Sequence, residues 1–457
     1  MKWYEKTEYA LLLLTTITAP LDWRLATIGM ILLGVSAVFK IFKSKHFGNP
    51  ALSTPARIVA VSMMAFFAVS TLSASLSNNQ PYGWDIAFSR VYFLVFPLLS
   101  LAGNSTYLSR PRIRILFYTL FATLVVLFFV RSGVTIVKMA QGTPLTSLLD
   151  SHFYSTHHTY FALYLSIAFA LAASEIIRIL NENENQNGNR LPPNSQFSTT
   201  QAIKQSSNQA ILTKLSIPLL FVLLVLALFA LAVNSRAGIL AISLITLASL
   251  VYLHFSLHNW RITLPVTTLV VACALALFFL QPENRHRLTN TFKDVSSEEP
   301  KDARLTLTRY GLEVAEYDMY GWEWVFGLGE GDMKEHLFTR YATHGYKNGV
   351  KENLRTHNQY LETFLASGAL GLAVLLFFLL SPLFGIRRLP REDRLPVLSV
   401  VFPTILFLAT EMMLYRQMGI VFIAFSYYLL ILWYQKPSDN QQINNAIPRP
   451  STAVPTP

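Results

Sequence analysis

The chain has 457 residues, of which 52% are hydrophobic and 14% charged, with a formal net charge of +11. The apolar residues come in blocks of about 15 to 22, the length that a helix needs to cross a bilayer. Membrane β-strands would instead alternate over segments of about 10 residues, so the pattern excludes a barrel. The predicted fold class is all-α, a polytopic integral membrane protein.

The distribution of charge argues against nucleic acid as a partner. Lysines and arginines mostly flank the apolar blocks instead of clustering among aromatic residues, so membrane topology accounts for most of the positive excess. The single cysteine, Cys273, lies inside an apolar block and provides neither a disulfide framework nor a thiolate metal site.

Six spans are predicted in the first part of the chain, at about 8–20, 25–39, 58–76, 88–103, 113–130 and 158–180. By the positive-inside rule, the basic residues between the second and third spans, and again at 110–114, mark cytoplasmic loops. The N-terminus is then cytoplasmic, and outer loops are expected at about 78–85 and 131–156. The polar, low-complexity residues 181–209 are predicted to form a disordered cytoplasmic loop.

Six more spans are predicted at about 211–233, 237–257, 262–280, 358–382, 396–414 and 418–434. A large outer loop with short helices, residues 281–356, separates the ninth helix from the tenth. We therefore expect about 12 transmembrane helices, divided by this loop into the parts 1–280 and 357–435. A disordered cytoplasmic tail, 436–457, follows them.

Three basic side chains fall on the predicted outer side although they are distant in sequence. Arg236 lies in Ser-Arg-Ala-Gly after the seventh span, Arg309 is expected to begin an amphipathic loop helix, and His357 stands where the loop becomes the tenth span. An arginine near lipid is costly unless it pairs with an anion, although it could also simply anchor a helix end. His357 has two interpretations, a helix cap beside Asn358 or a neutral imidazole acting as a general base.

Two motifs around these residues resemble those of a known family. The pattern His-Asn-x-Tyr-Leu that begins at His357, followed by glycines at 368 and 371, is similar to the signature of the O-antigen ligase and polymerase family of bacterial envelope glycosyltransferases. Thr308-Arg309, followed by Phe326-Gly327-Leu328-Gly329, resembles a second motif of that family. Arg304 is the alternative position for the arginine of that motif.

The resemblance implies the roles of these residues. His357 would be the catalytic base, and Arg236 and Arg309 would bind a lipid diphosphate, for which two planar guanidinium groups are well suited. Arg304, Asn358 and Tyr360 are further candidates for substrate binding. Neither a metal nor another cofactor is expected, because fixed cations would stabilise the leaving diphosphate.

The resemblance also implies the substrates and the compartment. The donor would be a glycan linked to undecaprenyl diphosphate, the acceptor a sugar of lipid A-core, and the reaction an inverting transfer at the periplasmic face of the bacterial inner membrane. The large outer loop would then be periplasmic. Membrane lipid is an expected partner, and nucleic acid is not.

Three alternatives remain open at this point. An O-antigen polymerase or a protein O-oligosaccharyltransferase of the same superfamily would use the same kind of donor. A polytopic lipid or polysaccharide transporter, from a different class, would also have about twelve spans. It would be expected to show broken helices near the bilayer midplane and an internal repeat, and neither is evident in the sequence.

Two further patterns have weaker functional interpretations. Gly327, Gly329 and Gly331 resemble a phosphate-binding loop, but no strand precedes them, so turn chemistry that positions the loop is favoured. His152, His157 and His158 lie near Asp150, yet their spacing does not place zinc ligands on one helical face.

Overall fold

The computed structural model of the chain describes residues 3–44, 52–102, 108–142, 160–171 and 303–435, with a few positions between 174 and 247. The described residues are helical and include no strand, as the composition predicted. The helices are α1 (Trp3–Thr18), α2 (Trp23–Ser44), α3 (Thr54–Leu76), α4 (Gln80–Ser89), α5 (Tyr92–Ala102), α6 (Arg110–Ala140), α7 (Tyr160–Leu171), α8 (Ala303–Asp318), α9 (Glu323–Phe326), α10 (Met333–Thr343), α11 (Lys347–Lys351), α12 (Gln359–Leu380), α13 (Arg391–Leu408) and α14 (Gln417–Trp433), and a 3₁₀ helix (Ser381–Arg388) continues α12.

Two helical stretches of the described chain are long and apolar enough to cross a membrane, α3 with 23 residues and Gln359–Arg388 with 30. At 1.5 Å per residue, α3 reaches about 34 Å, which exceeds the hydrocarbon thickness of about 30 Å. Ser53 caps its start by accepting a hydrogen bond from the Ala56 N–H, and Pro55 occupies its first turn. Both stretches coincide with predicted spans, whereas the total of about 12 stays a prediction.

The span predicted at 88–103 is not one continuous helix. The structure has two helices there, α4 and α5, which are bent by 41° and together have the length and composition of one span. Arg90 lies at the break and is buried, and it donates to Ser70 Oγ at 2.7 Å and to the Leu414 carbonyl at 3.1 Å. A buried arginine needs such partners, so the break gives its side chain a polar environment. The outer loop expected at 78–85 is correspondingly short, because α4 begins at Gln80.

The helix predicted at 113–130 is also longer than expected. α6 continues to Ala140, so the residues from Arg131 that were assigned to an outer loop begin as helix. No proline interrupts this extension, and it ends where Gly142 adopts a φ of 86°, a conformation that glycine tolerates. The transition from apolar to mixed composition near Arg131 therefore did not mark the end of the helix.

The helices α8 to α11 occupy residues 303–356, called here the loop segment, and share a small apolar core with α12. α8 begins at Ala303, six residues before the expected start at Arg309, and buries Leu307 and Val314 on one face. This amphipathic spacing is the one expected from sequence. The core also includes Leu365 and Ala366 of α12, so the loop segment packs directly onto a membrane-type helix.

The turn Gly327–Gly331 joins the loop segment to two membrane-type helices. The Leu328 and Gly329 N–H groups donate to the carbonyls of Leu365 and Ala366 at 2.9 and 3.0 Å. A Cβ on Gly327, whose φ is 80°, would lie 2.4 Å from the backbone of Ala366, and one on Gly331 would lie 2.1 Å from the Asn79 carbonyl oxygen. Because only glycine permits these close approaches, the structure favours the positioning role of these glycines over a phosphate loop.

Candidate active site

His357 lies in the short connection between the loop segment and α12, in a backbone conformation that favours glycine. Its φ is 51°, and among described non-glycine residues Asn353 alone shares a positive φ. The left-handed conformation costs an L-residue about 1 to 2 kcal/mol, and such strain persists where the surrounding contacts hold it. Strained backbone of this kind is concentrated at functional sites, which makes His357 a candidate for one.

The residues on both sides of His357 are fixed to the first turn of α12. The Asn358 Oδ1 atom accepts hydrogen bonds from the N–H groups of Tyr360 and Leu361 at 3.0 and 3.2 Å, so Asn358 is the N-cap. Thr356 donates its hydroxyl to Glu362 Oε2 at 2.7 Å. The capping role considered for His357 therefore belongs to Asn358, and the imidazole is available for other contacts.

The imidazole contacts a carboxylate that the sequence analysis did not single out. His357 Nδ1 lies 3.2 Å from Glu411 Oε2, across 54 positions of sequence. Glu411 stands in the connection between α13 and α14, with a side chain that is 11% exposed, whereas the imidazole is 31% exposed. The sequence position of Glu411 could have marked it as a candidate. An acidic residue at the end of an apolar run is costly unless it has a partner.

Arg304 forms an ion pair with the other oxygen of the same carboxylate. Its Nη2 atom contacts Glu411 Oε1, and its side chain is 41% exposed. The position of α8 explains this contact, because its Gly311 packs against the start of α12 so closely that a Cβ would lie 2.8 Å from Leu361. Glu411 thus joins a guanidinium of the loop segment to the imidazole beside α12.

The contact with Glu411 favours one tautomer of the imidazole. An ionised carboxylate only accepts hydrogen bonds, so the 3.2 Å contact fits the tautomer that carries its proton on Nδ1. In a neutral imidazole of this tautomer, Nε2 has the lone pair and can accept a proton. The geometry therefore suits a base oriented by a carboxylate, with an arginine beside it.

Arg309 lies on a different face of α8 from Arg304. Five residues correspond to a rotation of about 140° around a helix with 3.6 residues per turn. The Arg309 side chain is half exposed and pairs with Glu313 at 3.2 Å. Of the two arginines that the motif allowed, Arg304 is the one in contact with the Glu411 carboxylate, and the diphosphate-binding role predicted for Arg309 stays a prediction.

Tyr360 extends from the first turn of α12 towards α13. Its hydroxyl donates to the Ile405 carbonyl at 2.9 Å, and its ring packs against the large apolar core. This contact joins α12 to α13, six residues before Glu411 in the chain. The substrate-binding roles considered for Tyr360 and Asn358 stay predictions, and both residues have a structural contact in addition.

A buried ion pair supports the backbone before His357. Arg355 pairs with Glu362, and both side chains are almost completely buried. Burial disfavours the charged guanidinium, but Glu362 and the neighbouring Tyr415 and Tyr82 more than offset this and raise the pKa of Arg355 above its usual value. Arg355 therefore stays charged and holds the connection against α12.

Several candidates from sequence lie outside the described residues. They are Arg236 and the histidines at 152, 157 and 158, so the predicted meeting of Arg236 with His357 is untested. Within the described part of the chain, no three side chains of histidine, cysteine, aspartate or glutamate come together as metal ligands would.

The described chain is that of a helical, membrane-type protein with an acid–base pair at the start of a membrane-type helix. The Arg304 guanidinium is 41% exposed and pairs with the same carboxylate. These features define the class as a membrane-type helical protein with a candidate acid–base site.

Comparison with protein families narrows this class. Residues 220–376 match the family model described as O-antigen ligase. The matched region is about a third of the chain and includes Arg236, Arg304, Arg309 and His357. The match confirms the resemblance to the O-antigen ligase and polymerase family and indicates a glycosyltransferase-type enzyme. No curated protein matches the chain.

Proposed function

We propose that the protein is an O-antigen ligase that transfers a glycan from undecaprenyl diphosphate to lipid A-core. The observation that carries this proposal is the contact of His357 and Arg304 with the same carboxylate, Glu411. Both basic residues lie within the region that matches the O-antigen ligase family. A base and a cation held together in that region fit the transfer of a sugar from a diphosphate.

In the proposed reaction, a hydroxyl oxygen of the acceptor sugar attacks the anomeric carbon of the donor glycan. The bond between that carbon and the diphosphate oxygen breaks, and its electron pair leaves with undecaprenyl diphosphate. His357 Nε2 takes the hydroxyl proton, while the Nδ1–H bond to Glu411 orients the ring. Attack from the face opposite the leaving group inverts the anomeric configuration.

Arginines stabilise the leaving group in this proposal. Negative charge grows on the diphosphate as the sugar bond breaks, so cations already in place stabilise the transition state more than the ground state. The Arg304 guanidinium has five N–H donors, and a side chain 41% exposed can present some of them to phosphate oxygens. Arg236 and Arg309 are proposed to complete the diphosphate site, and no metal is required for this charge stabilisation.

The proposed location of the reaction is the periplasmic face of the bacterial inner membrane. It is supported by the basic residues that flank the predicted cytoplasmic ends of the spans. The lipid tail of the donor would lie alongside membrane-type helices such as α12, whose first turn follows His357 directly. The diphosphate would then lie at the level of His357 and Arg304.

The decisive experiment uses the purified full-length chain in detergent with an undecaprenyl-diphosphate-linked glycan and lipid A-core. The proposal predicts a covalent glycan–lipid A-core product, detected by its increased mass. Elongated glycan on the lipid carrier would identify a polymerase instead, and glycan attached to an added acceptor protein would identify a protein O-oligosaccharyltransferase. A transporter would form no covalent product with any of the acceptors.

A further inference from the structure

A cleft separate from His357 opens where four elements meet. It has a volume of about 580 Å³ and lies between the start of α2, α4, the start of α7 and the residues that lead into α14. Its lining includes the aromatic residues Trp23, Phe88, Tyr160 and Tyr415 and the polar residues Asp85, Ser89, Arg416 and Gln417. The volume is within the range of about 300 to 1,000 Å³ typical of small-molecule sites.

The tyrosines of this cleft have their hydroxyls occupied by contacts within the protein. Tyr160 donates to the Met412 carbonyl at 3.2 Å, and the Tyr415 hydroxyl is hydrogen-bonded to that of Tyr82 at 2.8 Å. The Tyr415 ring is also held by the Arg355 guanidinium, 4.3 Å from the ring centroid. Tyr415 therefore contributes a fixed ring to the cleft wall, whereas Tyr160 is only 5% exposed and contributes little ring surface.

The polar residues of the cleft have groups that a ligand can engage. Asp85 on α4 and Arg416 before α14 are both exposed, and no ion pair between described residues involves either of them. Gln417 also lines the cleft, but its Oε1 atom is buried and so faces away from a ligand there. Asp85 and Arg416 are therefore the charged groups within reach of a ligand.

We propose that this cleft is a subsite for the sugar residues of a glycan. Aromatic rings offer faces against which sugar rings pack, and the Asp85 carboxylate and the Arg416 guanidinium provide acceptors and donors for hydroxyl groups. A diphosphate fits less well because Asp85 would repel it, and a lipid tail would leave both charged groups unpaired. The inference rests on the proposed function, which supplies two glycans, one on the donor and one on the acceptor.

The position of the cleft along the chain suits such a subsite. Glu411, which contacts His357, and Arg416, which lines the cleft, stand in the same connection between α13 and α14. Five residues span at most about 18 Å even when fully extended. A glycan whose reacting sugar lies at His357 can therefore extend its next sugars into the cleft.

Binding of oligosaccharides without lipid tests the subsite directly. The probes are the oligosaccharide released from the donor and the core oligosaccharide released from lipid A, each titrated into the purified full chain by calorimetry. Arg416→Gln and Asp85→Asn should each weaken the binding of at least one oligosaccharide about tenfold. Arg388→Gln, an equally exposed arginine at the far end of the 3₁₀ helix after α12, should leave binding unchanged.

The identity of the affected oligosaccharide shows which substrate uses the cleft. Weaker binding of the donor glycan assigns it to the donor, and weaker binding of the core oligosaccharide assigns it to the acceptor. The proposal is overturned if neither oligosaccharide binds, or if Arg416→Gln binds both oligosaccharides as the unaltered chain does. Both substituted side chains are exposed, so unchanged thermal unfolding is expected and shows that the variants are folded.

The binding experiment separates this inference from the proposed ligase function. If the chain transfers no glycan yet binds an oligosaccharide through Arg416, the subsite stands and the ligase proposal fails. If transfer occurs but Arg416→Gln changes neither binding nor KM, the subsite fails and the ligase proposal stands. If the ligase function and the glycan subsite are both correct, Arg416→Gln should raise KM for one substrate about tenfold. The same variant should change kcat less than twofold.

Discussion

Two groups of contacts between basic and acidic side chains differ in their exposure to solvent. At the candidate active site, Glu411 joins Arg304 and His357, and both basic side chains are partly exposed. Around the loop segment, Arg90 pairs with Glu330 and Arg355 with Glu362, and all four side chains are at most 4% exposed.

The difference indicates separate roles for the two groups. A buried ion pair has no access for a substrate, and breaking it leaves an uncompensated charge in an apolar environment. It therefore serves to hold the loop segment on the membrane-type helices. A partly exposed pair contributes little to stability but leaves its donors and lone pairs within reach of a substrate.

The largest expected effect comes from removing the imidazole. His357→Asn should lower kcat by about 10² to 10⁴, because general-base assistance is lost. Asparagine tolerates a positive φ better than most residues, so the fold should be kept. The transfer assay measures the rate, and thermal unfolding in detergent confirms that the variant is folded. Full activity in His357→Asn would exclude His357 as the base.

Breaking the buried pair of Arg90 and Glu330 should lower the stability of the protein. Glu330→Gln leaves Arg90 without its carboxylate and should destabilise the protein by about 3 to 5 kcal/mol, seen as a lower unfolding temperature. Glu335→Gln, an exposed carboxylate on α10, is the matched control and should have little effect. The double change Arg90→Met with Glu330→Leu should recover part of the loss. An unfolding temperature unchanged by Glu330→Gln would contradict the anchoring role.

Replacing the carboxylate beside His357 should lower the rate less than replacing His357 itself. Glu411→Gln keeps the size of the side chain but weakens the charge-assisted hydrogen bonds to His357 and Arg304, so kcat should fall about 10- to 100-fold. The comparison requires single-turnover rates with saturating donor and acceptor. A loss of stability without any loss of rate would place Glu411 with the buried pairs instead.

The smallest effect should separate the two arginines of α8. Arg304→Gln should lower kcat/KM about tenfold, because it removes a charged donor beside the base, whereas Arg309→Gln should have less effect. The two variants make the same chemical change on one helix, so each is a control for the other. A larger loss in Arg309→Gln would assign the diphosphate to Arg309 and leave Arg304 as a positioning residue for Glu411.

Local patterns in the sequence were sufficient for the helical fold and for the resemblance to the O-antigen ligase family. Apolar runs identified the helices at 54–76 and 359–380, and the motif that begins at His357 lies within the region that the family model matches. The interpretation of Gly327 and Gly331 as turn residues also rested on local information, since no strand precedes them. Each of these features depends on neighbours in sequence.

The features that were missed depend on residues far apart in sequence. Glu411 is 54 positions from His357, and Glu330 is 240 positions from Arg90. Arg90 of the second pair lies at the break between α4 and α5, and no local pattern reveals its partner. A single sequence contains no signal for such contacts beyond the presence of a charged residue near an apolar run.

The central claim is that His357 and Glu411 act as one catalytic unit, and a double-mutant cycle on transfer rates tests it most directly. Residues that act as a unit give strongly non-additive effects. The double variant His357→Asn with Glu411→Gln should therefore be about as slow as His357→Asn alone. If the two losses multiply instead, Glu411 does not act through His357 and the proposed site is contradicted.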